Sequence, residues 1–136
     1  MKKFLLIILT VLLVGACKKE QTAPEGPTDV RIRNLTTLAL QDVVVDIDTV
    51  VNYGVIDAKA TSGYIRFPKA YPQVKITAKI DLDGSLVIFT SDNIDYDYMQ
   101  TMGRMRITYE VHTPNMANKL LVVNVIPEEE IFLDQE

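Results

Sequence analysis

The sequence predicts an all-β domain, an immunoglobulin-like sandwich of two sheets with seven or eight strands and an open barrel as the alternative, on three observations. Apolar and polar residues alternate at period two in segment after segment, the pattern of strands with one buried and one wet face. Turn signals recur at short intervals, which suits a sandwich of about 100 residues. No apolar stripe of useful length at helical spacing appears after residue 28.

The first strand is expected around Val30-Arg31-Ile32-Arg33, with the aliphatic pair inward and both arginines in water. From Gln41 to Val51, Val43, Val45 and Ile47 share one face against Val44, Asp46 and Asp48, so a single long strand is predicted there. A short piece, Tyr53 to Ile56, turns near Asp57-Ala58-Lys59 into a strand from Gly63 to Phe67. Pro68 and Pro72 cannot donate to a ladder, so the stretch between them is a connection.

Val74, Ile76, Ala78 and Ile80 then alternate with Lys75, Thr77, Lys79 and Asp81, and Asp83-Gly84 separates them from Leu86 to Thr90. Asp-Gly between two such runs is a strong hairpin signal, because both turn positions need positive φ. A polar loop from Ser91 to Gly103 leads to a strand carrying Met105, Ile107, Tyr109 and Val111 on one face. Lys119 to Ile126 is nearly continuous apolar sequence and is expected to be covered on both faces.

Ahead of the domain, Lys2 and Lys3 precede an apolar run from Phe4 to Val14 and the small residues Gly15 and Ala16, followed by Cys17. That order is a secretory signal with a cleavage site, and its run is shorter than the roughly 20 apolar residues that cross a bilayer. Val14-Gly15-Ala16-Cys17 resembles the lipobox of bacterial lipoproteins. The resemblance implies that residues 1–16 are removed and that Cys17 receives a diacylglycerol and an N-acyl lipid. Each buried methylene contributes about 0.8 kcal/mol, so such an anchor holds a small domain on a membrane. Lys18 stands where an aspartate would resemble an inner-membrane retention signal, so the outer membrane is the expected destination, on its periplasmic or its surface side. Residues 17–28 read as a polar, proline-containing tether, residues 29–126 as the domain, and residues 127–136 as an acidic tail able to extend a sheet edge or hang free.

Removing residues 1–16 takes away two lysines and no acid, leaving 12 basic against 18 acidic residues, a formal charge of −6. That balance disfavours nucleic acid and anionic headgroups as partners, which need clustered basic residues. Cys17 is the single cysteine, so no internal disulfide forms.

Residues 28–126 carry Arg31-Ile32-Arg33-Asn34, Tyr53-Gly54, Thr61-Ser62-Gly63-Tyr64, Ala70-Tyr71, Ile94-Asp95-Tyr96 and a strand from Gly103 to Tyr109. In these residues the chain resembles a group of small Bacteroidota-type lipoproteins of unassigned function. The chain departs from the group at Asp97, where a small apolar residue is expected. The resemblance implies a lipid-anchored β-sandwich and no known activity.

His112 is the only histidine and sits at a strand end before Thr113-Pro114-Asn115. Any serine hydrolase mechanism would have to use it as base. Ser62, Ser85 and Ser91 lie in no Gly-x-Ser-x-Gly elbow. Zinc would need more histidine or cysteine ligands. No resident cofactor is therefore expected, and the domain reads as non-enzymatic, a module contacting other envelope proteins through an edge strand or the Ser91 to Gly103 loop. The alternative is a surface glycan- or calcium-binding module. Asp92, Asp95 and Asp97 offer the oxygen ligands that calcium prefers, and Tyr96 and Tyr98 would form a stacking platform for sugar rings if the stretch is extended.

Overall fold

The computed structural model describes residues 24–131. Among the described residues eight strands form: β1 (Thr28–Asn34), β2 (Gln41–Asp46), β3 (Val50–Asn52), β4 (Ile65–Phe67), β5 (Lys75–Leu82), β6 (Ser85–Thr90), β7 (Met105–His112) and β8 (Val122–Glu130). One 3-10 turn, Met116–Asn118, precedes β8. The strands make two four-stranded sheets, ordered β4-β1-β7-β8 and β3-β2-β5-β6, the two-sheet sandwich that the alternation predicts. Within that architecture the order of connection differs from constant-type immunoglobulin domains, which group the first, second, fourth and fifth strands. Here β1 runs parallel to β7 over its full length, from Thr28 opposite Met105 to Asn34 opposite Val111, and the other strand pairs are antiparallel.

The predicted inward residues build the core. Val30, Ile32, Ile107, Tyr109 and Val111 from one sheet face Val43, Val45, Ile76, Ala78, Ile80 and Phe89 from the other, all fully buried. Burying each large aliphatic or aromatic side chain contributes about 1.5–3 kcal/mol. Asp83 (φ 54°) and Gly84 (φ 89°) both take the positive φ that the two-residue β5–β6 turn demands. Pro68 to Pro72 is a connection, as expected.

Several boundaries differ from the sequence reading. Gln41 to Val51 is two strands: Ile47 keeps the inward phase at 6% exposure, but the chain reverses across Ile47–Thr49, where polar Asp48 and Thr49 favour a turn. Tyr53 to Ile56 is no strand: the Tyr53 N–H and Gly54 carbonyl bond to Val43 and Ile56 forms an isolated bridge with Leu40, while of the Gly63 to Phe67 strand Ile65–Phe67 pairs as β4.

The last strand departs most. Lys119 adopts a left-handed φ of 52° at the end of the 3-10 turn, so extended structure starts after it. β8 is an edge strand with residues half-buried or exposed rather than covered on both faces. It also continues through Pro127 and Glu128–Glu130, so this part of the acidic tail belongs to the sheet. Pro127 is tolerated because an edge strand leaves half its N–H groups unpaired. A register shift lets Glu128 and Glu129 span the single residue Arg106 of β7, a β-bulge. At the other end, Thr28 is buried in β1 rather than part of the tether. Gly26 is pressed against Pro68, whose carbonyl oxygen lies 2.0 Å from where a Cβ would stand.

Candidate functional site

Asp92, Asp95, Tyr96, Asp97 and Tyr98 all lie on the loop joining β6 to β7, but the loop does not gather them on one side. Ser91 ties its start to β5: its hydroxyl accepts from the Ile76 N–H at 2.8 Å and donates to the Val74 carbonyl at 3.2 Å. Asp92 is exposed at the mouth of a groove of about 390 Å³ that Gln73, Asn93 and Leu121 also line. Asp95 and Asp97 face solvent, with the Asp97 N–H capped by the Asp95 carboxylate at 3.1 Å.

Tyr96 turns the opposite way. Its hydroxyl accepts from the Lys75 N–H at 3.0 Å and donates to the Asp46 carbonyl at 2.8 Å. Its ring stacks on Tyr71 with centroids 4.7 Å apart, and burial pushes its pKa up. A turn then follows, closed by the Met99 N–H to the Tyr96 carbonyl at 3.1 Å, and Tyr98 projects outward at 96% exposure. The two rings therefore form no shared stacking platform, because the stretch is not extended through Tyr98. Among the described residues, no group of three or more His, Cys, Asp or Glu side chains is placed to hold a metal ion. Cys17 lies outside the described residues.

His112 closes β7 beside a hollow lined by Leu35, Thr36, Leu38 and Met116, with a buried Nδ1 that makes no hydrogen bond among the described residues. Two of the three serine hydroxyls are committed elsewhere. Ser62 accepts from the Ile32 N–H and donates to the Gly63 carbonyl, both at 2.9 Å, and Ser91 is held as described above.

Two features could not be located from the sequence. The first is an ionic network on the outer face of the β4-β1-β7-β8 sheet. Arg31 donates to Thr108 at 2.9 Å and to Glu128 at 2.7 Å, while Tyr64 and Thr108 also donate to Glu128. Arg66 binds Asp29 at 2.8 Å, Arg106 binds Glu129 at 2.7 Å, and Arg33 binds Glu110 at 2.9 Å. The Arg31 and Arg106 guanidiniums lie 4.9 and 5.3 Å from the Tyr64 ring centroid, within cation–π range. Burial alone would push the Glu128 pKa up. Hydrogen bonds from Thr108, Tyr64 and Arg31, with the charge of Arg31, outweigh it and hold the carboxyl below the usual range. Alternating arginines in the first strand and the glutamate run were both visible, but the β1–β7 and β7–β8 registers together are what bring them into contact.

The second feature is the set of sheet edges. Open edges invite pairing with other chains, and folded proteins blunt them by shortness, charge, proline or bulges. β3 and β4 are three residues each, and β8 carries Pro127, three glutamates and a bulge. β6, Ser85-Leu86-Val87-Ile88-Phe89-Thr90, has no charge, no proline and no glycine. Leu86 and Ile88 stand 55% and 58% exposed on its outer face. Among the described residues, cover reaches only its last residue: the Thr90 N–H donates to the Lys119 carbonyl at 3.2 Å, and its carbonyl accepts from Leu121 at 3.0 Å.

No protein-family model matches the chain, and no curated protein matches it. Among solved structures, it is similar to an NMR structure of a protein from Eubacterium rectale, with 16% identity and a TM-score of 0.41, covering 82% of this chain and 96% of that one.

Proposed function

We propose that this chain is a lipid-anchored, non-enzymatic protein of the bacterial envelope that engages protein partners by strand addition at β6. The observation that carries the reading is the contrast among the four sheet edges of the described residues, of which only β6 is both longer than three residues and free of charge, proline and bulge. In strand addition, main-chain hydrogen bonds supply affinity and alternate side chains supply selectivity. Leu86 and Ile88 would be those side chains. The motif Val14-Gly15-Ala16-Cys17 supports the anchor, and the acidic balance argues for proteins rather than nucleic acid as partners.

The test is affinity capture from chemically crosslinked envelopes of cells expressing the intact chain, a Leu86→Lys chain and a Cys17→Ala chain. Reproducible partners that are lost with Leu86→Lys, and a membrane association lost with Cys17→Ala, are expected. An intact chain that recovers neither another protein nor a differently tagged copy of itself above background would sink the docking reading, and an unlipidated thiol in the mass spectrum of the mature protein would sink the anchor.

A further inference from the structure

We infer that the strand received by β6 is β6 of a second copy of this chain, paired antiparallel about a two-fold axis at Val87. This rests on the reading of β6 as a docking edge and names its occupant.

The backbone decides the register. Thr90 sends both its N–H and its carbonyl away from β5, to Lys119 and Leu121. In an antiparallel strand these directions alternate, so Leu86 and Ile88 also point their groups outward, while Ser85, Val87 and Phe89 bond to β5. The open edge therefore offers two donors and two acceptors. A two-fold axis at Val87 sets Leu86 opposite the second copy's Ile88 and Ile88 opposite the second copy's Leu86. All four groups on each strand are then used, in two hydrogen-bonded pairs flanking a Val87–Val87 contact. Opposite Thr90 the incoming strand has already reached its Gly84, so it enters its own turn where residues Lys119–Leu121 begin to cover the edge. The uncovered length of β6 is matched by β6 itself.

The side chains agree with that pairing. On β5, Asp81 stands opposite Leu86 and Lys79 opposite Ile88. Each cross-sheet row then reads acid, leucine, isoleucine, lysine, the acid from one copy and the lysine from the other. Apolar side chains meet in the middle and no like charges face each other, which favours the pair. The product is one continuous sheet of eight strands across two sandwiches.

The experiment places a photoreactive benzophenone side chain at Ile88 in the full chain, expressed in its own envelope and illuminated there. A crosslinked product at twice the monomer mass, mapping to β6, is expected. Adding Leu86→Lys should reduce it roughly tenfold or more, because a lysine ammonium must then be desolvated at the seam. That lysine gains Asp81 as a neighbour on its own sheet, so the monomer stays folded, as circular dichroism of the variant would verify. A product formed with a different protein and lost with Leu86→Lys overturns the second-copy pairing but leaves β6 as a docking edge. No Leu86→Lys-sensitive product overturns both.

Discussion

Tyr96 stacks on Tyr71 with ring centroids 4.7 Å and planes 23° apart, and the Tyr71 carbonyl in turn accepts from the buried hydroxyl of Tyr109. Tyrosines of the loop, of the Pro68–Pro72 connection and of β7 are thus joined in one chain of contacts. Tyr96→Phe keeps the stack but leaves the Lys75 N–H and Asp46 carbonyl without their hydroxyl. It is expected to cost about 1–2 kcal/mol, read as a lower urea midpoint with an unchanged slope. Tyr98→Ala, a change at the exposed ring two residues on, should shift the midpoint by less than about 0.5 kcal/mol equivalent.

Asn34 is fully buried and has the most heavily used side chain on the far end of β1. Its amide nitrogen donates to the carbonyls of Leu38 at 2.8 Å and of Ile56 and Asp57 at 3.1 Å, and its oxygen accepts from the Thr36 N–H and hydroxyl. Asn34→Leu removes these bonds and leaves the buried Thr36 N–H without its acceptor, while the Ile56 and Asp57 carbonyls keep the Leu40 and Ala60 N–H groups; it is expected to cost about 2–3 kcal/mol. Thermal unfolding followed by circular dichroism would measure it.

Glu128 titrates lower when folded than when unfolded, because its carboxylate is held by Thr108, Tyr64 and Arg31. Its contribution is therefore present above the unfolded pKa and is lost as pH falls through the lower folded one. The site is near the surface, so the contribution should be under about 1 kcal/mol. Glu128→Gln is expected to flatten the stability profile between about pH 3 and 5, while leaving the shape of that profile above pH ~6 unchanged. Parallel urea titrations at stepped pH would show whether the two curves converge at the acid end.

Gly26→Ala would drive a methyl group into the Pro68 carbonyl, a backbone atom that cannot rotate away. The Pro24–Pro27 stretch must then lift from the domain, at an expected cost of about 1–3 kcal/mol. Limited proteolysis should report faster cleavage before Thr28, while Gly63→Ala, where a Cβ meets open space, should not change the rate.

Local alternation made the core legible, since Val43, Val45, Ile76, Ala78, Ile80, Ile107, Tyr109 and Val111 are inward as their spacing demands. Asp83-Gly84 was legible because two positive φ values in a row have few sequence solutions. The parallel β1–β7 pairing was not, because period-two spacing says which way a side chain points but not which strand lies alongside. The same gap hid the Arg31–Glu128 pairing, whose partners are 97 residues apart, and made β8 read as a covered strand when it is a wet edge. In the candidate loop, Tyr96 and Tyr98 have the same spacing as a strand pair, and only the intervening turn sends one ring inward and the other out.

Pro24 and Glu25 line a hollow together with Met99–Gly103, so the chain enters the sandwich at the pole that bears Tyr98. The Asp83-Gly84 turn lies at the opposite pole, about 25 Å along β5 from Lys75. A bulky reporter grafted upstream of Pro24 would consequently crowd Tyr98 and its neighbouring carboxylates, whereas one spliced in beside Gly84 would stand clear of them.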